Sequence, residues 1–120
     1  MAHRVLDHAS VCIRDLERSR RFYEGILGLE PAPRPDLGVP GMWYSLGRAQ
    51  LHLIQTPNAP SMPGGINPTH PHFAIEVDDL DGLRRDFKEA GVDMLDAGAQ
   101  LWILDPDGNT VELRTPSGVV

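Results

Sequence analysis

The chain has 120 residues, one ordinary domain's worth, of which 41% are hydrophobic and 23% charged, with a net charge of −6. That acidic balance excludes nucleic acid and anionic membrane as expected partners, because both need a clustered basic surface. Cys12 is the only cysteine, no apolar run approaches bilayer-spanning length and MAHRVLDH lacks a signal-type apolar core, so no internal disulfide and a cytoplasmic location are expected.

Residues 5–14 alternate: Ala9, Val11 and Ile13 fall on one face and His8, Ser10, Cys12 and Arg14 on the other, the period of a half-buried strand. Asp15 stands where a helix N-cap belongs. Leu16, Ser19, Tyr23, Ile26 and Leu27 make a helical stripe that Gly28 ends. Residues 29–32 form a short strand candidate, and Pro31, Pro33, Pro35 and Pro40 turn the next stretch into a loop. Residues 42–46 and 49–55 read as two strands joined tightly through Gly47 and Arg48. From 56 to 71 the chain is rich in Pro, Gly and Asn and reads as a linker, with a lid as a second possibility.

The order then repeats. Residues 72–77 form a strand, Asp79 caps a helix with apolar Leu80, Leu83, Phe87 and Ala90, and Gly91 stops it. Residues 92–95, 100–104 and 110–114 are strands, the last two flanking Asp105-Pro106-Asp107-Gly108-Asn109. Each copy, 5–55 and 72–115, is strand–helix–strand–strand–strand, so the fold class expected is α+β, built from two βαβββ modules. A unit of this size is marginal alone; the copies should fold together as one domain or exchange with a second chain.

The repeat is visible in the letters. HASVCIRDLERSRRFYEG from His8 matches HFAIEVDDLDGLRRDFKE from His72 at an offset of 64, and the later hairpins pair His52 with Glu112 at an offset of 60. Two matched positions per copy therefore carry His, His, His and Glu, residue types that bind divalent metals. Strand parity places each of the four opposite the apolar face of its strand. His8, His52, His72 and Glu112 are thus the candidate ligands of one pseudo-symmetric metal site.

DHASVCIRDLERSRRFYEGILGLE, HFAIEVDDLDGLRRDFKEAGV and WILDPDGNTVEL resemble the two modules of the vicinal oxygen chelate superfamily, which includes glyoxalase I, extradiol dioxygenases, methylmalonyl-CoA epimerase, and fosfomycin and bleomycin resistance proteins. The resemblance runs from about Leu6 to Arg114. It implies paired, curved mixed sheets with the helices outside, and one divalent metal held by one residue from each of four strands: His8, His52, His72 and Glu112 by position. It also implies a homodimer in which modules pair across chains. Three His and one Glu match neither the usual glyoxalase I set nor the two-His, one-Glu set of the dioxygenases. The Leu51-His52-Leu53 segment is most similar to the glyoxalase-I-like branch.

Borderline ions such as Ni, Co, Fe, Mn or Zn suit such a ligand set. The function expected is a metal-dependent glyoxalase-I-like lyase or isomerase acting on a small substrate chelated through vicinal oxygens, by way of an enediolate. Glu112 or a metal-bound hydroxide would be the base. An extradiol-type dioxygenase at Fe(II) and a non-catalytic drug- or metabolite-binding resistance protein are the alternatives. Arg114 shares parity with Glu112 and is a candidate for holding an anionic substrate group, against a plain solvated arginine. Trp43 and Trp102 occupy matching positions, read first as core aromatics and second as substrate walls. Cys12 is read as a small buried filler. His70 and His3 are left out of the ligand set.

Overall fold

A computed structural model describes residues 2–59 and 64–116 of the chain. Residues 60–63, the middle of the expected linker and of any lid within it, lie outside the described residues. Two compact units emerge, Met1–Pro60 and Ser61–Val120.

The first unit runs β1 (His8–Ile13), α1 (Leu16–Arg20) continuing as a π-helical segment Arg21–Ile26, β2 (Glu30–Ala32), β3 (Gly41–Leu46) and β4 (Ala49–Gln55). The second runs β5 (His72–Glu76), α2 (Leu80–Glu89), β6 (Leu95–Asp96), β7 (Gln100–Leu104) and β8 (Thr110–Arg114). Strand order is β1-β4-β3-β2 in one sheet and β5-β8-β7-β6 in the other. In each, the first and last strands pair in parallel and the remaining pairs are antiparallel. The fold is therefore the expected α+β architecture of two βαβββ modules.

The apolar parity of each strand makes the core of its unit. Ile13, Tyr23, Tyr44, Leu51 and Leu53 are fully or almost fully buried in the first unit, and Phe87, Leu101, Ile103, Val111 and Leu113 in the second. Each such side chain removed from water contributes on the order of 1.5–3 kcal/mol. Asp15 and Asp79 cap the two helices as expected, accepting from the amides of Arg18 (3.2 Å) and Gly82 (2.9 Å).

The first helix departs from the expected single period. Its second half closes with Leu27 N–H donating to the Phe22 carbonyl at 3.0 Å, an i to i−5 bond. The wider turn buries Phe22 as well as Tyr23 and Leu27, whereas Leu16 and Ile26 of the expected stripe are only half-buried. Glu24 anchors this segment to β3. It takes a hydrogen bond from Arg20 Nε at 2.7 Å and one from the Tyr44 hydroxyl at 2.8 Å. The Arg20 bond, more than the Tyr44 bond, holds the Glu24 carboxyl below its ordinary range against the cost of burial. Burial, and then the Glu24 carboxylate, push the Tyr44 phenol above its own range.

The Asp105–Asn109 turn is built around one buried carboxylate. Asp105 Oδ1 accepts from the amides of Asp107 (2.9 Å) and Asn109 (2.8 Å), and Oδ2 accepts from Asn109 Nδ2 (2.8 Å). The turn fixes where β8 begins, and so the register that carries Glu112. Cys12 is not the buried filler expected of it. It is exposed, because it shares the solvent-side parity of β1 with His8 and Ser10. Among the described residues no helix is long and apolar enough to cross a membrane.

Candidate metal centre

The two sheets place their candidate ligands at equivalent register points. On β4, His52 lies between Ser10 of β1 and Trp43 of β3; on β8, Glu112 lies between Ala74 of β5 and Trp102 of β7. Ser10 and Ala74 differ by the same offset of 64 as His8 and His72, and His52 and Glu112 by 60, so pairing geometry reproduces the repeat in the letters. Within the first unit the structure brings His8 and His52 together; within the second, His72 and Glu112. Among the described residues no group of three or more such side chains converges.

The second-unit pair has the geometry of two ligands. His72 Nδ1 lies 2.8 Å from the carbonyl of His70, an acceptor only, so Nδ1 carries the proton and donates. In the neutral ring Nε2 is then a lone pair, and it faces Glu112 Oε1 at 3.1 Å. Two acceptors that close need a proton or a cation between them. Bonds of about 2.0–2.2 Å to a common ion at right angles put their ends about 3.0 Å apart, which fits the observed separation. Glu112 is buried, and its other oxygen accepts from Gln100 Nε2 at 3.2 Å and lies 3.6 Å from Arg114 Nη1.

The first-unit pair is arranged differently. His8 Nδ1 lies 2.7 Å from Asp7 Oδ2, so it too donates through Nδ1 and leaves Nε2 as the ligand atom. His52 is 9% exposed and sits in a column of rings. His8 stacks on one face (centroids 4.2 Å apart, planes at 16°) and Trp43 on the other (4.2 Å, 7°). Its Nε2 lies 2.8 Å from Gln50 Oε1. Burial first, and then the nearby His8, lower the His52 pKa and favour the neutral, ligating form. Metal bonds lie in the plane of an imidazole, and planes this nearly parallel share no point within bonding reach of both rings. A common ion therefore requires one ring to turn. His8, with 43% of its side chain exposed, has the room. His72 and Glu112 would fit as ligands of a divalent ion as they stand, and His8 after that turn, whereas Nε2 of His52 is engaged by Gln50 Oε1.

The remaining candidates sort by parity. Trp43 is not a core aromatic: it lies on the ligand face, half-buried against His52. Trp102 holds the matching place beside Glu112 and is also half-buried. Arg114 lies on the ligand face too, but turned towards Glu112. Asp7, Gln50 and Gln100 and the His70 carbonyl were not singled out from the sequence. The parity that selected His52 also selects Gln50, and the parity of Trp102 selects Gln100. The role of Asp7 and of a main-chain carbonyl leaves no such trace.

Two βαβββ modules of the same strand order define the fold class, and comparison with known proteins gives its family. Residues 5–113 match the family model described as the Glyoxalase/Bleomycin resistance protein/Dioxygenase superfamily, and the chain belongs to that superfamily. It is 29% identical over 119 residues to Glyoxylase I 4 of Arabidopsis thaliana, covering 90% of this chain and 68% of that one. It is 31% identical over 104 residues to the mitochondrial methylmalonyl-CoA epimerase of Bos taurus, covering 80% of this chain and 59% of the relative. A glyoxalase family protein from Bacillus anthracis shares the fold with a TM-score of 0.77 at 23% identity, covering 98% of both chains.

Proposed function

We propose that His8, His52, His72 and Glu112 are the ligands of one divalent-metal site per chain, and that the protein is a glyoxalase-I-like enzyme. The observation that carries the reading is the His72–Glu112 pair, an imidazole Nε2 and a carboxylate oxygen 3.1 Å apart at the positions that the repeat matches to His8 and His52. A bound divalent ion of the Ni, Co, Fe, Mn or Zn kind supplies Lewis-acid polarisation of two neighbouring substrate oxygens.

The chain's own residues do the rest. Glu112, released from the ion, would take the proton from the carbon beside the carbonyl and return it to the neighbouring carbon, its Oε2 accepting a hydrogen bond from Gln100 Nε2. Arg114, half-buried beside Glu112, steadies the negative charge of the substrate, and Trp43 and Trp102 wall the site. Epimerisation beside a thioester carbonyl is a second reading, favoured by the likeness to methylmalonyl-CoA epimerase, and uses the same proton transfer. A homodimer with sites shared between chains, and a cytoplasmic location suited to the lone thiol, complete the proposal.

Methylglyoxal with a thiol, followed as thioester formation, tests the leading reading across first-row metals. Turnover with metal, lost in Glu112→Gln, is expected. No turnover with any of those metals overturns it, and α-proton exchange into methylmalonyl-CoA would then select the epimerase.

A further inference from the structure

The two histidines matched by the 64-residue offset share one more feature. His8 Nδ1 donates to the Asp7 carboxylate at 2.7 Å, and His72 Nδ1 donates to the His70 carbonyl at 2.8 Å. Both rings are thereby held in the Nδ1–H tautomer, which is the minor form of a free imidazole in water. Nε2 of His72 faces Glu112 Oε1 at 3.1 Å. His72 gets its acceptor from the main chain, which no side-chain substitution removes. His8 gets its acceptor from the side chain of the residue before it.

We propose that Asp7 is a positioning residue for the metal site: through its Oδ2–Nδ1 hydrogen bond it sets the tautomer of His8 and leaves Nε2 as the lone pair for a divalent ion. The proposal rests on the metal reading above and adds a residue to it. Its physical basis is general. A carboxylate on the far nitrogen of a ligating imidazole fixes the ring and raises its basicity, and removing it weakens metal binding by about 10–100-fold. Asp7 carries 93% of its side-chain exposure, so little packing is lost when it is replaced.

Two variants separate positioning from charge. Asp7→Ala removes both acceptor and charge; Asp7→Asn keeps an acceptor oxygen and removes only the charge. The measurements are the affinity for Zn²⁺ alone and Ni²⁺ alone, by competition with a chelator, and the ¹⁵N shifts of the His8 ring in metal-free protein. Wild type is expected to show Nδ1–H at His8. Asp7→Ala should shift the ring towards Nε2–H and weaken metal binding about 10–100-fold. Asp7→Asn should keep the tautomer and lose clearly less affinity than Asp7→Ala. Unchanged affinity in Asp7→Ala, when His8→Ala abolishes binding, overturns the role of Asp7 and leaves the metal reading standing. Equal losses in both variants with the tautomer unmoved reduce Asp7 to a charge and overturn positioning. A wild type that binds neither ion overturns the metal reading and the positioning role with it.

Discussion

Replacing Asp105 with alanine isolates the turn that sets β8. The carboxylate is 4% exposed and accepts from Asp107 N, Asn109 N and Asn109 Nδ2, all within 2.9 Å. Hydrogen bonds to a charged group contribute about 1.5–3 kcal/mol each, and a buried donor left without a partner costs about 1–3 kcal/mol. The Asp107 amide is buried and cannot regain water; Asn109 is half-buried and recovers part of its loss. The backbone bonds Asp105 N to Asn109 O (2.9 Å) and Gly108 N to Asp105 O (3.0 Å) do not involve the side chain and persist. Removing the carboxylate also relieves the cost of burying its charge, several kcal/mol, so the net loss is about 3 kcal/mol, or roughly 10 °C in Tm for a domain of this size. Asp105→Asn keeps the acceptor for both amides but turns an NH₂ towards Asn109 Nδ2, and should cost about 1 kcal/mol. Urea titration of the three proteins at matched m-values measures both. A loss in Asp105→Ala below about 1 kcal/mol would refute the assignment of the turn to this carboxylate.

Two further predictions concern stability. The Glu24 carboxyl is held below its ordinary range in the folded state, so its contribution is present above the unfolded value near 4.5 and is lost as pH falls through the folded value. Wild type should therefore lose stability more steeply than Glu24→Gln between about pH 5 and pH 3, and parallel curves in urea unfolding over that range would contradict the Arg20–Glu24–Tyr44 network. Phe87 is fully buried in the second unit, and Phe87→Ala should cost about 3–5 kcal/mol by the same measurement; a loss under about 1.5 kcal/mol would contradict its place in the core.

Much of the molecule was legible in the letters because two periods carry it. Alternation placed Ala9, Val11 and Ile13 against His8, and burial follows those faces in β1; in β4 Leu51, His52 and Leu53 are all buried, His52 between the rings of His8 and Trp43. The repeat gave the topology of both units, and the offsets of 64 and 60 reappear as the pairings of Ser10 with His52 and Ala74 with Glu112. The π-helical segment was not legible: it carries the attachment of Glu24 to Tyr44, a contact 20 residues apart that no helical periodicity encodes. At Cys12 strand parity outweighs residue type and sets the thiol on the exposed face. At Trp43 it likewise sets an aromatic against a candidate ligand. Nor does a ligand list reveal ring orientation. That His8 and His52 stand parallel, and that Asp7 and the His70 carbonyl choose the free nitrogen, depend on side-chain packing and main-chain direction.

Metal stoichiometry and affinity in single variants drawn from each unit test the central claim most directly. Wild type is expected to bind one divalent ion per chain, and His8→Ala in the first unit and Glu112→Gln in the second should each lose most of that affinity. Retention of full affinity by either variant, or uptake of two ions per chain, would contradict a single site built from both copies of the repeat.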